Sequence, residues 1–131
     1  MIEFDEGADA SFKESIQVLH WLKDAGVDLV DAGLAGSTPK EQVPWGPNFM
    51  VPYAERIRNE TGLPVATSWL IKNPDEADAF IREGRLDLVF LARSLLANPH
   101  WPFHAARKLK IEKSSEVLPT PYAYWLQHWE E

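Results

Sequence analysis

Apolar residues in the first part of the chain recur every three or four positions, which predicts a helix with one buried face. The members of this apolar stripe are Phe12, Ile16, Leu19 and Leu22. Ser11 and Glu14 have the spacing of a capping box, in which each side chain accepts a hydrogen bond from a free backbone N–H. We therefore expect this helix to begin at Ser11 and to end at Gly26, where a left-handed residue is easily accommodated.

Short, nearly continuous apolar runs alternate with segments of helical spacing along the rest of the chain. The predicted strands are residues 27–31, 63–68 and 86–91. The predicted helices are residues 48–61, 73–84 and 99–110, with a short additional helix after 92–94. Asn73 and Pro74 form a strong helix start, and Gly62 a helix stop. This alternation indicates an α/β fold with a parallel sheet covered by helices.

The number of these strand–helix units is too small to close a barrel. A complete (β/α)₈ barrel has eight units and about 250 residues, whereas this chain has 131 residues and three readable units. An open parallel sheet with helices on both faces is also compatible with the pattern. The pattern alone therefore leaves part of a barrel and an open, doubly wound sheet as alternatives.

Composition excludes several classes of function. The net charge of −7 argues against a nucleic-acid partner or an anionic membrane, because phosphate groups attract clustered Lys and Arg. The chain has no Cys, so disulfides and thiolate metal sites are absent. No apolar run approaches the roughly 18 residues of a membrane span, and the first residues lack the pattern of a signal peptide. We therefore expect a cytoplasmic protein.

Candidate ligand-binding residues follow the predicted strands, because ligands of α/β proteins collect at the C-terminal ends of parallel strands. This rule selects residues 31–36, 68–72 and 92–94. The last two segments precede short helices, and the free N–H groups and positive dipole of a helix start suit a phosphate. Arg93 would add a charge-assisted contact to that phosphate. The alternative is that Arg93 caps a helix or pairs with a nearby acid.

Other side chains give weaker signals. Trp69 follows a strand and would roof a pocket there, with an ordinary core residue as the alternative. His100 and His104 are four residues apart, but no carboxylate ligand accompanies them, so we expect no metal site. Ser37 and Ser68 are not in a Gly-x-Ser-x-Gly turn, and we assign no catalytic residue to this chain.

Several segments resemble, in the same order, the C-terminal third of an Old Yellow Enzyme of the bacterial xenobiotic-reductase type. They are VPWGPNFM at 43–50, ATSW at 66–69, LDLV at 86–89, AR at 92–93, LANPHW at 96–101 and PTPYAYWL at 119–126. The resemblance implies a partial (β/α)₈ TIM barrel, made of the last three to four βα units and a C-terminal aromatic arm. It divides the chain into a barrel part at 1–111 and an arm at 112–131, which we expect at a subunit interface.

The resemblance also implies a cofactor and a reaction. Enzymes of this family contain FMN, take a hydride from NAD(P)H and reduce a small-molecule substrate, namely an activated alkene or a nitro compound. The residues that match the family's cofactor site are Ser68, Trp69, Leu70, Ala92 and Arg93. Trp69 also matches a residue of the substrate pocket, and Trp125 matches an aromatic residue that a neighbouring subunit inserts into that pocket.

The chain departs from the family pattern in two respects. Ala92 stands where Gly is usual, and residues 70–72 replace Gly-rich residues after Trp69, so we expect a weaker phosphate contact. The family's proton-donor Tyr and substrate-binding His pair belong to the barrel half that this chain does not match. We therefore expect a partner, either a homo-oligomer or a complementing N-terminal barrel half, and no activity without it. The alternative is a non-catalytic barrel fragment that only oligomerises.

Overall fold

Three short parallel strands form the centre of the fold in a computed structural model, which describes residues 4, 8–34 and 42–127. The strands are β1 (Val30–Ala32), β2 (Val65–Thr67) and β3 (Leu88–Val89), in the order β1-β2-β3. Ala66 of β2 is aligned with Asp31 on one side and with Leu88 on the other. The predicted α/β fold with a parallel sheet is confirmed.

Helices follow each strand, as right-handed crossover connections between parallel strands require. They are α1 (Ala8–Asp24), α2 (Val51–Thr61), α3 (Pro74–Arg82), α4 (Arg93–Ala97), α5 (Trp101–Lys108) and α6 (Thr120–Leu126), with a 3₁₀ helix at Ser114–Val117. None of the helices in the described part of the chain is both long enough and apolar enough to cross a membrane.

The start of α1 differs from the prediction. The helix begins at Ala8, three residues before Ser11, so the predicted cap at Ser11 is wrong. Alanine has the highest helix propensity, and Asp9 lies in the first turn, where its charge complements the helix dipole. Asp9 also pairs with Lys13 at 3.2 Å across one turn. These local interactions extend the helix in the N-terminal direction beyond the capping-box spacing.

Two other helix boundaries confirm their sequence signals. The Asn73 side chain accepts a hydrogen bond from the Asp75 backbone N–H at 3.1 Å, which caps the start of α3. Gly62 has a φ of +64° at the C-terminus of α2, a conformation that glycine adopts without steric cost. These positions were predictable because the cap residue acts on backbone groups only two to four positions away.

The observed strands are shorter than the predicted ones, and β1 is displaced. The Val27 N–H bonds to the Leu22 carbonyl at 3.0 Å and so stays in the turn after α1, and pairing begins at Val30. Asp31 therefore lies within β1 and not at its end. In β3, regular pairing covers Leu88–Val89 of the predicted 86–91.

The strand β2 is the centre of the hydrophobic core, because all three of its residues are buried. The largest fully buried side chains are Met50, Val51, Val65, Thr67 and Leu86. The Thr67 hydroxyl donates a hydrogen bond to the Ala32 carbonyl at 2.7 Å, which joins the C-terminal ends of β2 and β1 below the loops that follow them. The polar group of Thr67 is therefore satisfied despite its burial.

One ion pair connects three elements. Arg58 of α2 donates to both oxygens of Asp87, at 2.9 and 3.3 Å. The same carboxylate accepts a hydrogen bond from the Val65 N–H at 2.9 Å, at the first residue of β2. Hydrogen bonds from Arg58 hold the pKa of Asp87 below its ordinary value, although burial acts in the opposite direction. The pair therefore links β3 to both α2 and β2.

We predict that Asp87→Asn lowers the free energy of unfolding by about 1–2 kcal/mol at neutral pH, because the variant loses charge-assisted hydrogen bonds at a half-exposed position. Since the pKa is depressed in the folded state, the contribution of the carboxylate is complete above the ordinary value of 3.8 and is lost as the pH falls through the folded pKa. Urea unfolding at neutral pH and at about pH 3 should show this difference and its decrease.

The matched control is Asp78→Asn, which removes the partner of the exposed Arg82 on α3. It should change stability by less than Asp87→Asn. Equal effects of the two substitutions, at both values of pH, would contradict a structural role for the Asp87 pair.

Candidate functional site

A cavity of about 600 Å³ lies at the C-terminal ends of β2 and β3, in the size range of small-ligand pockets. Its walls are two loops, residues 68–72 after β2 and residues 92–94 after β3. The lining residues are Trp45, Ser68, Trp69, Leu70, Ile71, Lys72, Phe90, Ala92, Arg93 and Ser94. We call it the strand-end cavity. All five residues predicted for the cofactor site, Ser68, Trp69, Leu70, Ala92 and Arg93, line it together.

The two loops meet because their strands are hydrogen-bonded neighbours. The Phe90 N–H donates to the Thr67 carbonyl at 2.9 Å, immediately before both loops begin. Parallel strands end at the same edge of a sheet, so the segments that follow them must leave from adjacent points. The geometry of the cavity is therefore a consequence of the strand pairing.

Aromatic rings form one wall of the strand-end cavity. The ring centroids of Trp69 and Trp45 are 5.6 Å apart, and Phe49 lies 6.0 Å from Trp69 and 5.4 Å from Trp45. These distances and tilts are within the range that aromatic pairs prefer. Trp69 lines the cavity and is only partly buried against the hydrophobic core, so it is not an ordinary core residue.

The loop after β2 contains two consecutive residues in the left-handed conformation. Trp69 has a φ of +71° and Leu70 a φ of +60°. Residues with a Cβ adopt this region at a cost of roughly 1–2 kcal/mol each. The loop therefore stores strain at Trp69 and Leu70, and Leu70 is the first of the positions where the resemblance implies a Gly-rich sequence. Ala92 has a φ of −108°, so its methyl group causes no left-handed strain.

Two exposed cations, Arg93 and Lys72, lie on the wall of the strand-end cavity. Within the described residues neither side chain forms an ion pair, whereas the nearby Lys108 pairs with Asp75 at 2.6 Å. The alternative interpretation of Arg93, pairing with an acid, therefore finds no support in this part of the chain. Lys72 lies in the predicted strand-end segment 68–72, but its positive charge was assigned no role in the sequence prediction.

The remaining predicted candidates lie elsewhere. Asp31 lines a separate groove of about 330 Å³ between α1 and β1, where burial raises its pKa. Residues 35 and 36 and Ser37 are outside the described part of the chain. Trp125 lies on α6, is 79% exposed and has its ring 5.3 Å from that of Tyr124, away from the strand-end cavity. Trp125 does not line the strand-end cavity of its own chain.

Metal binding has no structural support in the part of the chain that is described. None of its His, Asp and Glu side chains form a group of three or more that could hold an ion. His100 and His104 instead lie beside aromatic rings, with centroids 6.3 Å from Tyr122 and 5.5 Å from Phe103.

Sequence comparison identifies the family. Residues 3–112 match the sequence model of the NADH:flavin oxidoreductase / NADH oxidase family. Because this match covers more than half of the 131 residues, the chain belongs to that family. The resemblance to Old Yellow Enzymes is thereby confirmed, and so is the expected cofactor set of the family, FMN with NAD(P)H as electron donor.

Relatives with assigned names are considerably longer than this chain. An NADPH dehydrogenase of Geobacillus thermodenitrificans is 38% identical over 105 residues, which cover 80% of this chain and 31% of the relative. An NADPH dehydrogenase of Halalkalibacterium halodurans is 36% identical over 107 residues, with coverages of 82% and 31%. One of Bacillus velezensis is 32% identical over 120 residues, with coverages of 92% and 33%. The chain thus spans about a third of the length of the curated relatives it matches.

The aromatic wall yields a spectroscopic prediction. Two indoles 5.6 Å apart should couple and give an exciton couplet in the far-ultraviolet circular dichroism spectrum. We predict that both Trp69→Phe and Trp45→Phe reduce the amplitude of the couplet, whereas the Tyr124–Trp125 pair at 5.3 Å keeps its own contribution. The control Trp21→Phe changes a 63% exposed Trp on α1 and should leave the couplet in place. A couplet whose amplitude is unchanged in both cavity variants would contradict the observed wall.

Proposed function

We propose that this chain is the phosphate-binding part of an FMN-dependent NAD(P)H oxidoreductase that reduces activated alkenes or nitro compounds. The observation that carries the proposal is the strand-end cavity, where Arg93 and the loop after β2 face the same space. Family membership supplies the cofactor class, and the NADPH dehydrogenase names of the relatives support the electron donor.

The residues of the cavity fit the two chemical parts of FMN. Arg93 offers a planar fork of donors that suits phosphate oxygens, and Lys72 offers a second positive charge on the same wall. The Leu70 backbone N–H donates to no backbone carbonyl in the described part of the chain, so it is available to an anion. Trp69, Trp45 and Phe90 provide an apolar surface beside these donors.

When bound, the flavin supplies the hydride chemistry. The contribution of this chain is to bind the phosphate end, to orient the cofactor from that end and to exclude water with the aromatic wall. We assign no proton donor to these residues. The reaction would therefore need groups from outside the described residues.

We propose that the three strands are the C-terminal part of a (β/α)₈ barrel, which five further strands would complete. Both β1 and β3 are edge strands of the described sheet, and an unprotected edge is a site for pairing with another segment. Leu88 and Phe90, at the β3 edge, are 47% and 41% exposed. Apolar exposure at an unpaired edge supports a covering partner, either a complementing barrel half or a second copy.

A second candidate function is an oligomerising module without catalysis. The observation that favours it is the exposed aromatic surface of α6, where Tyr122, Tyr124 and Trp125 are 57%, 63% and 79% exposed. Aromatic residues with this exposure are typical anchors of protein interfaces. Both functions place Trp125 at a subunit interface, and only flavin binding distinguishes them.

The central test of the proposed function is the binding of FMN compared with riboflavin, which lacks the phosphate. We predict that Arg93→Gln raises the Kd for FMN by roughly tenfold or more, because a charged hydrogen bond contributes about 1.5–3 kcal/mol, and leaves the Kd for riboflavin unchanged. Flavin fluorescence quenching measures both constants.

The matched control for this test is Arg82→Gln, which changes an exposed Arg on α3 that pairs with Asp78. It should affect neither constant. If Arg93→Gln and Arg82→Gln have the same effect on FMN binding, or if the native chain binds FMN no better than riboflavin, the phosphate site is not at Arg93.

The oligomeric arm has its own test. We predict that Trp125→Ala shifts the chain toward monomer in sedimentation equilibrium, because the substitution removes the largest exposed aromatic group of α6. Trp21→Ala, on the exposed face of α1, is the control and should leave the mass distribution of the native chain unchanged. A native chain that is monomeric throughout, or an unchanged oligomer in Trp125→Ala, would refute the role of the arm.

A further inference from the structure

We propose that Trp101 is a positioning residue, whose indole N–H fixes the loop after β2 in the conformation that the phosphate site needs. The inference rests on the proposed function for its biological meaning, but not for its geometry. Trp101 is the first residue of α5 and does not itself line the strand-end cavity.

Two hydrogen bonds tie the loops of the cavity to each other. The Trp101 Nε1–H donates to the Lys72 carbonyl at 3.1 Å, and the Ser94 hydroxyl donates to the Ile71 carbonyl at 3.3 Å. Both acceptors belong to the loop after β2, and both donors belong to the segment after β3. The position of each loop therefore depends on the other.

The loop needs such an anchor because its backbone is strained. Two consecutive residues, Trp69 and Leu70, have positive φ values, and a strained conformation persists only where its surroundings determine it. On the strand side the anchor is β2 itself. On the far side the anchors are the buried Ile71 side chain, 3% exposed, and the two carbonyl hydrogen bonds.

Trp101 is the stronger of the two hydrogen-bonding anchors. Its indole N–H is a donor only and sits on a rigid ring that packs against the hydrophobic core. The Ser94 hydroxyl has the longer bond and can rotate toward other acceptors. Lys72 supplies both the carbonyl that Trp101 binds and one of the two cations of the cavity. Trp101 therefore also fixes the backbone position from which the Lys72 side chain extends.

A positioning role for Trp101 predicts different effects on the phosphate and on the ring of the cofactor, whereas a purely structural role predicts equal effects. Loss of the indole N–H should weaken contacts to a phosphate, because the loop donors and Lys72 are displaced. It should weaken contacts to an isoalloxazine ring less, because ring packing against Trp45 and Phe49 also holds the Trp69 side chain. FMN and riboflavin separate these two effects.

The test variant is Trp101→Phe, which keeps one aromatic ring against the core and removes the N–H donor together with the second ring of the indole. The control is Trp21→Phe, the same substitution at an exposed position of α1. The first measurement is the initial rate of trypsin cleavage after Lys72, relative to cleavage after Lys13 on α1. The second is the Kd for FMN and for riboflavin.

We expect Trp101→Phe to accelerate cleavage after Lys72 by about fivefold and to raise the Kd for FMN by a similar factor, which corresponds to one lost hydrogen bond of about 1 kcal/mol. The Kd for riboflavin should rise by a smaller factor than the Kd for FMN, and all values for Trp21→Phe should equal those of the native chain. Unchanged cleavage after Lys72, or equal losses for FMN and riboflavin, would overturn the positioning role. Faster cleavage in a chain whose native form binds no FMN would support the anchor and refute the proposed function alone.

Discussion

The structure depends on the pairing of the buried strand β2 with a parallel neighbour on each side. Every residue of β2 is buried, and its backbone bonds connect it to β1 and to β3. Because the three strands run in the same direction, their C-terminal ends lie at one edge, and the loops after β2 and β3 must begin side by side. The Thr67 hydroxyl and the Asp87 carboxylate reinforce this pairing at opposite ends of β2.

The strand-end cavity combines a rigid base with a strained rim. Below it, strand pairing and the buried core determine the geometry. At the rim, Trp69 and Leu70 adopt left-handed conformations that the chain would leave if the far end of the loop were free. The hydrogen bond from Trp101 holds the far end of the loop in place, so a residue of α5 supports a site that it does not line. The shape of the strand-end cavity therefore depends on both loops together and not on either sequence segment alone.

Sequence reasoning predicted the parts of this protein that short-range chemistry determines. The cap at Asn73 and the left-handed Gly62 were correct because their partners lie within one helical turn. The cap at Ser11 was wrong because helix propensity and the Asp9 charge extend α1 further than a spacing rule can show. The role of Trp101 could not be predicted, since its acceptor is 29 residues away and the contact exists only after β2 and β3 have paired. The common position of Ser68 and Arg93 was predictable because ligand sites of parallel α/β folds lie at the C-terminal ends of the strands, and both residues directly follow a predicted strand.

The most direct test of this account is a scalar coupling across the hydrogen bond between the Phe90 nitrogen and the Thr67 carbonyl carbon, measured by nuclear magnetic resonance on the labelled chain. That bond is 2.9 Å long and lies immediately below the strand-end cavity. The account predicts an observable coupling between these two nuclei and slow exchange of the Phe90 amide proton. Coupling of Phe90 to a different carbonyl, or exchange at the rate of an unprotected amide, would show that the two loops do not begin side by side.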